Sequence, residues 1–192
     1  VDAQNAYVSP GFINLHVHGC AGVDTMDAEE DTLHKMSCFQ AQTGVTSFLP
    51  TTMTSDWDAV YRALDRIRHE MPVLTKHNCP NRQTDGKKDN IGTFQKAHET
   101  EGASYTDREL MGAKVLGAYL EGPFINVDFK GAQKGEAVVP ANFEKIAAYA
   151  DVIKVIVIAP ETLKEDEKRL TTFLQQCRAC GMLISIGHSA AT

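Results

Sequence analysis

The chain has 192 residues, 43% hydrophobic and 23% charged, with a formal net charge of −6. Such a composition supplies apolar mass for one globular domain or part of a larger one, and its acidic balance argues against nucleic acid, which selects basic surfaces. No apolar run approaches the ~20 residues that span a bilayer, and VDAQNAYVSPGF has no basic segment leading into an apolar one, so neither membrane association nor a secretory signal is expected.

In chain order, the first element is GFINLHVHG, of strand length. Side chains alternate along a strand, so Phe12, Asn14, His16 and His18 face one side and Ile13, Leu15 and Val17 the other, where they are expected to pack on helices. Two imidazoles at i and i+2 stand close enough to share a metal ion; they also suit a hydrogen-bonded strand end. A helical pattern follows over Asp31 to Thr43, then the strand TSFLPTT, then a second helical pattern over Asp56 to Glu70. His34 and His69 lie on these helices and read as surface residues. From about Lys76 to Asp107 the chain is rich in Asn, Asp, Gly, Lys and Thr, which predicts a polar insertion with His77 and His98 as solvated histidines.

The third strand is KVLGAYLEGPF. Glu121 closes it before Gly122-Pro123, where an acid can serve as an ion-pair partner, a loop cap or an oxygen ligand beside nitrogen ligands. A helix is expected over Pro140 to Ala150, a fourth strand at VIKVIVIAPE, and a helix over Thr162 to Cys180. That last helix puts Leu163, Leu170, Phe173, Leu174 and Cys177 on one face. The fifth strand, MLISIGHS, ends on His188, which suits a metal ligand or an ordinary polar terminus. The five cysteines, Cys20, Cys38, Cys79, Cys177 and Cys180, have no framework spacing and are expected as reduced thiols, with Cys177 and Cys180 as plain helix residues.

Strands alternating with helices imply βαβ units and a parallel sheet. His18, Thr51, Glu121, Glu161 and His188 all fall where strands end. A (β/α)8 barrel and a doubly wound sheet both build their sites there, so position does not choose between them. Three strands delivering His, Glu and His to one end point to metal chemistry.

PGFINLHVHG, GVTSFLPTT, LEGPFIN, KGAQ, APE and GHSAAT occur in that order. Together they resemble the N-acetylglucosamine-6-phosphate deacetylases of the amidohydrolase superfamily, from about Ser9 to Thr192 outside the polar insertion. The resemblance implies an α/β fold, an incomplete (β/α)8 TIM barrel of about five β/α units over 11–192, with residues 1–10 as a remnant strand of a small β-sandwich domain. It implies one or two divalent ions (Zn, Fe, Co or Mn) on Glu121, His188, His16 and His18. It also implies sugar contacts from Ala132 and Gln133, the latter standing where some members have histidine.

The activity so implied is hydrolysis of N-acetylglucosamine 6-phosphate to glucosamine 6-phosphate and acetate, by a cytoplasmic homodimer acting on a small amino-sugar phosphate. The alternatives are another N-acyl sugar or a cyclic amide as substrate, or a non-catalytic metal-binding module. The resemblance places the catalytic aspartate and a further metal-binding histidine beyond Thr192. The missing initiator Met adds the expectation of natural sequence upstream, so the chain is expected to be an inactive piece of a longer enzyme.

Overall fold

The computed structural model describes residues 7–71, 112–164 and 166–191. The expected polar insertion, with His77 and His98, lies outside them, as do Cys79 and residues 1–6 of the expected remnant strand. Tyr7 to Gly11 is exposed and has no regular structure.

The chain runs through β1 (Phe12–Val17), a short antiparallel hairpin of β2 (Gly19–Cys20) and β3 (Val23–Asp24), and helix α1 (Thr32–Gln42). Next come β4 (Val45–Pro50), helix α2 (Trp57–Glu70), β5 (Lys114–Val115) and β6 (Ala118–Leu120). The described chain ends with β7 (Ile153–Ile158), helix α3 (Glu167–Ala179) and β8 (Leu183–Ile186). β1, β4 and β5 form one parallel sheet in that order, and β6, β7 and β8 another. A parallel bridge from Thr51 to Tyr119 joins the two.

The strands therefore follow one another side by side in sequence order. A doubly wound sheet reverses its order at a switch point, and no such reversal occurs among the described residues. Among the described residues β1 and β8 are its outer strands.

The single third strand expected from KVLGAYLEGPF is divided at Gly117. That residue sits at φ 142°, with Val152 O and Lys154 Cγ each 2.5 Å from where a Cβ would stand. Only glycine fits such an approach, and the ladder breaks there.

The helices follow their apolar spacing. On α2, Val60, Ala63, Leu64 and Ile67 are buried, and the Asp56 carboxylate caps the helix by accepting the Ala59 N–H at 2.9 Å. On α3, Asp166 caps at Arg169 N (2.9 Å), while Phe173 and Cys177 face the core. The helix expected over Pro140 to Ala150 is instead two 3-10 turns, Phe143–Lys145 and Ala147–Tyr149. Phe143, Ile146 and Tyr149 pack inward at a spacing of three, the 3-10 period, and the Asn142 side chain caps the first turn at Glu144 N (3.0 Å).

The core gathers around β7, where Ile153, Val155, Ile156, Val157 and Ile158 are buried, with Phe48, Leu120, Phe124 and Phe173 packed about them. One expectation fails at the edges. Ile13 and Leu15 of β1 are 60% and 57% exposed rather than covered by helices, and Leu183 and Ile186 of β8 are 69% and 64% exposed. Among the described residues no element lies over those faces. Cys20, Cys38 and Cys177 are free thiols as expected, whereas Cys180 is disulfide-bonded, which departs from the all-reduced expectation. No described helix is long and apolar enough to cross a membrane.

Candidate metal centre

The site is built around the Glu121 carboxylate, which lies just past β6 and is 5% exposed. Its place is set by the neighbouring strand end: the Glu121 N–H donates to Thr52 Oγ1 at 3.3 Å, and the Thr52 N–H to Tyr119 O at 3.0 Å. Gly122 follows at φ 73°, packed against Thr54 so closely that a Cβ has no room. Small polar threonines at the end of β4 thus let the carboxylate turn inward.

Three imidazoles meet this carboxylate. His16 Nε2 stands 2.9 Å and His18 Nε2 3.4 Å from Oε2, and His188 Nε2 stands 2.9 Å from Oε1. His16 Nε2 and His18 Nε2 are 3.2 Å apart. Donor atoms about 2.0–2.1 Å from a tetrahedral ion stand roughly 3.3 Å from one another. The 2.9, 3.2 and 3.4 Å edges of the His16, His18 and Glu121 triangle match that spacing, and this triad is the metal-capable cluster among the described residues. Its nitrogen and carboxylate donors suit borderline divalent ions such as Zn²⁺, Fe²⁺, Co²⁺ or Mn²⁺.

The protonation states follow from burial and neighbours. Burial alone would raise the Glu121 carboxyl, but hydrogen bonds from His18 and His188 and the charges of His18 and His16 hold it down at about 2. His18 is raised, first by its hydrogen bond to Glu121, against the opposing effect of burial. His18 Nδ1 is buried without a hydrogen-bond partner among the described residues, so the ring's polar engagement runs through Nε2.

His188 is oriented from behind. Its Nδ1 lies 2.9 Å from Phe129 O, and a carbonyl only accepts, so Nδ1 carries a proton and Nε2 is the nitrogen turned toward Glu121. The residue itself sits at φ 49°, in the left-handed region that non-glycine residues rarely adopt.

The structure thus brings together His16, His18, Glu121 and His188, all four residues proposed as ligands from the sequence. Gln133 is buried beside them. Its Nε2 donates to Glu121 Oε1 at 2.7 Å and its Oε1 accepts the Thr54 N–H at 2.6 Å, so the carboxamide faces the carboxylate. Ala132 is exposed in the preceding turn. His34 and His69 stay on their helices away from the cluster, as expected.

Sequence reading missed the roles of Thr52, Phe129 and Asn126. It marked Thr51 and Glu161 only as polar strand ends. Thr51 Oγ1 accepts the Val17 N–H at 2.9 Å and so ties β1 to β4 beside the histidines. Glu161 accepts from Ser189, Asn126 and Ala190; burial would raise its carboxyl, but those three donors hold it at about 2. The PTT and APE strings were the available signals, and neither states its partners.

Residues 7–189 match the model of the amidohydrolase family. The N-acetylglucosamine-6-phosphate deacetylase of Lysinibacillus sphaericus is 32% identical over 196 residues, covering all of this chain and 40% of the relative. The N-acetylgalactosamine-6-phosphate deacetylase of Escherichia coli O157:H7 is 33% identical over 187 residues, covering 95% of this chain and 39% of the relative. Among solved structures, the N-acetylglucosamine-6-phosphate deacetylase of Pasteurella multocida superposes with a TM-score of 0.63 at 27% identity, over 95% of this chain and 38% of that one. The chain spans about 40% of the length of the curated relatives it matches.

Proposed function

Because the chain belongs to the amidohydrolase family, we propose that it is the metal-holding segment of an enzyme that hydrolyses N-acetylglucosamine 6-phosphate to glucosamine 6-phosphate and acetate. The observation that carries this reading is the His16, His18 and Glu121 cluster with its tetrahedral edge lengths, found in a chain similar to sugar-phosphate deacetylases. A divalent ion held there would lower the pKa of water and polarise the acetamide carbonyl.

The chain's own residues set up that chemistry. His16 and His18 turn Nε2 to one carboxylate oxygen of Glu121 and His188 turns Nε2 to the other, so these four residues would hold the divalent metal. Gln133 fixes the carboxylate's rotation, and Phe129 O fixes the His188 tautomer. Ala132, exposed on the same turn, offers its backbone to the sugar. The proton for the leaving amine is assigned to an aspartate beyond Thr192, in keeping with general acid–base catalysis.

The exposed apolar residues of β1 and β8 support a longer parent protein. Outer strands with uncovered Ile and Leu side chains call for further strands and helices, which a complete (β/α)8 barrel would supply. In this reading residues 11–192 form the first five β/α units, and residues 1–10 lead in from a small β-sandwich domain.

A second reading has a specific observation behind it. The Escherichia coli relative, named for the galactosamine substrate, is as similar as the glucosamine one. The full-length protein, loaded with zinc, is to be assayed for acetate release from both N-acetyl sugar phosphates. Faster release from N-acetylglucosamine 6-phosphate is expected; preference for the galactosamine epimer would move the assignment, and release from neither would overturn both.

A further inference from the structure

The carboxylate of Glu161 stands at a strand end, and the ligand set does not use it. It lies just past β7, and three donors occupy it. Oε1 accepts from Asn126 Nδ2 at 2.9 Å and from the Ala190 N–H at 2.7 Å, while Oε2 accepts the Ser189 hydroxyl at 2.6 Å. Asn126 belongs to the loop after β6; Ser189 and Ala190 belong to the loop after β8. One carboxylate therefore ties together two loops from the ends of two other strands. The tie is doubled by the Asn126 N–H, which donates to His188 O at 3.0 Å.

Those loops hold the two parts of one contact. The loop after β6 begins at Glu121 and contains Phe129, whose carbonyl takes the Nδ1 proton of His188; the loop after β8 contains His188 itself. His188 meets Glu121 with a left-handed backbone, at φ 49°. That conformation is strained for a residue with a Cβ, and it persists only where surrounding contacts over-determine it. The bonds to its flanking Ser189 and Ala190 are such contacts.

We propose that Glu161 is a positioning residue: it clamps the loop after β8 onto the loop after β6 and so holds His188 Nε2 on Glu121. Glu161 is not itself a ligand, because its oxygens are taken by Asn126, Ser189 and Ala190. The clamp rests on the metal-centre reading above and adds to it the residue that fixes the fourth donor.

The charge of Glu161 is not what the clamp needs. A glutamine there accepts Asn126 and Ala190 at its carbonyl and donates its amide to Ser189 Oγ, whose hydroxyl turns away. An alanine loses all three bonds. Zinc affinity is to be measured by chelator competition on full-length wild type, Glu161→Ala and Glu161→Gln, with amide hydrogen exchange of residues 187–191 followed in the metal-free proteins. Glu161→Ala should weaken zinc binding roughly 10- to 100-fold and speed exchange in that loop, while Glu161→Gln stays within about threefold of wild type. Equal zinc affinity in wild type and Glu161→Ala would overturn the clamp, as would unchanged loop exchange. If wild type bound no zinc, the metal reading would fail by itself, and the loop exchange would still decide whether Glu161 holds the segment.

Discussion

Glu121→Gln tests the electrostatics of the cluster without changing its shape. The Glu121 carboxyl is lowered from 4.5 to about 2. At about 1.4 kcal/mol per pKa unit, that shift corresponds to about 3 kcal/mol of stability in the metal-free protein. The unfolded chain takes up the proton first, so this stability is present above pH 4.5 and is lost as pH falls through about 2. About 2 kcal/mol of it should be gone by pH 3.

His18 works in the opposite direction. Its folded value is raised above 6.5, so its contribution is present below that pH and is lost as pH rises through the elevated value. Metal-free wild type should therefore have an electrostatic stability maximum between about pH 4.5 and 6.5, the two unfolded-state values that bound the window. In Glu121→Gln the carbonyl oxygen still accepts from Gln133, and the side chain keeps the volume of glutamate while losing its charge. The assay is urea unfolding of chelator-treated protein from pH 3 to 8. Wild type should lose about 2 kcal/mol more than the variant between pH 5 and 3, and profiles that stay parallel would refute the argument.

Two further substitutions read the packing. Gln133→Leu removes a donor from Glu121 and strands the Thr54 N–H, so it should destabilise by about 2–4 kcal/mol and weaken zinc binding, measured by thermal melting and chelator competition. Ile156→Ala, at a fully buried position of the central strand β7, should cost about 2–5 kcal/mol and lower Tm by roughly 5–15 °C without altering zinc stoichiometry, since Ile156 touches the core and not the cluster.

Much of the architecture was legible because it depends on local rules. Apolar spacing on α2 and α3, with aspartate caps at Asp56 and Asp166, is written in the chain at short range. The four candidate ligands were visible for a similar reason: polar residues closing apolar strands stand out against their surroundings. Departures came where packing overrode pattern. The segment around Phe143 has enough apolar residues for an α-helix, yet the spacing of three and the Asn142 cap produce 3-10 turns. β1 alternates as a half-buried strand should, yet Ile13 and Leu15 are exposed, because alternation specifies which side is apolar and not what covers it.

The sequence by itself determined most of the element types, the parallel βαβ order and the identities of His16, His18, Glu121 and His188 as strand-end donors. Period and composition act within a few residues, so they survive in a one-dimensional reading. Only the tertiary structure decided the partners. It put three imidazole nitrogens on one buried carboxylate, turned Gln133 inward onto it, gave His188 its tautomer through Phe129 O, and tied the His188 loop with Glu161. The closest of these contacts in sequence, Gln133 to Glu121, spans 12 residues, and the His188 to Glu121 contact spans 67. Hydrogen bonds and charges act over a few ångströms of space, and no local pattern in the chain encodes which distant strand ends will meet there.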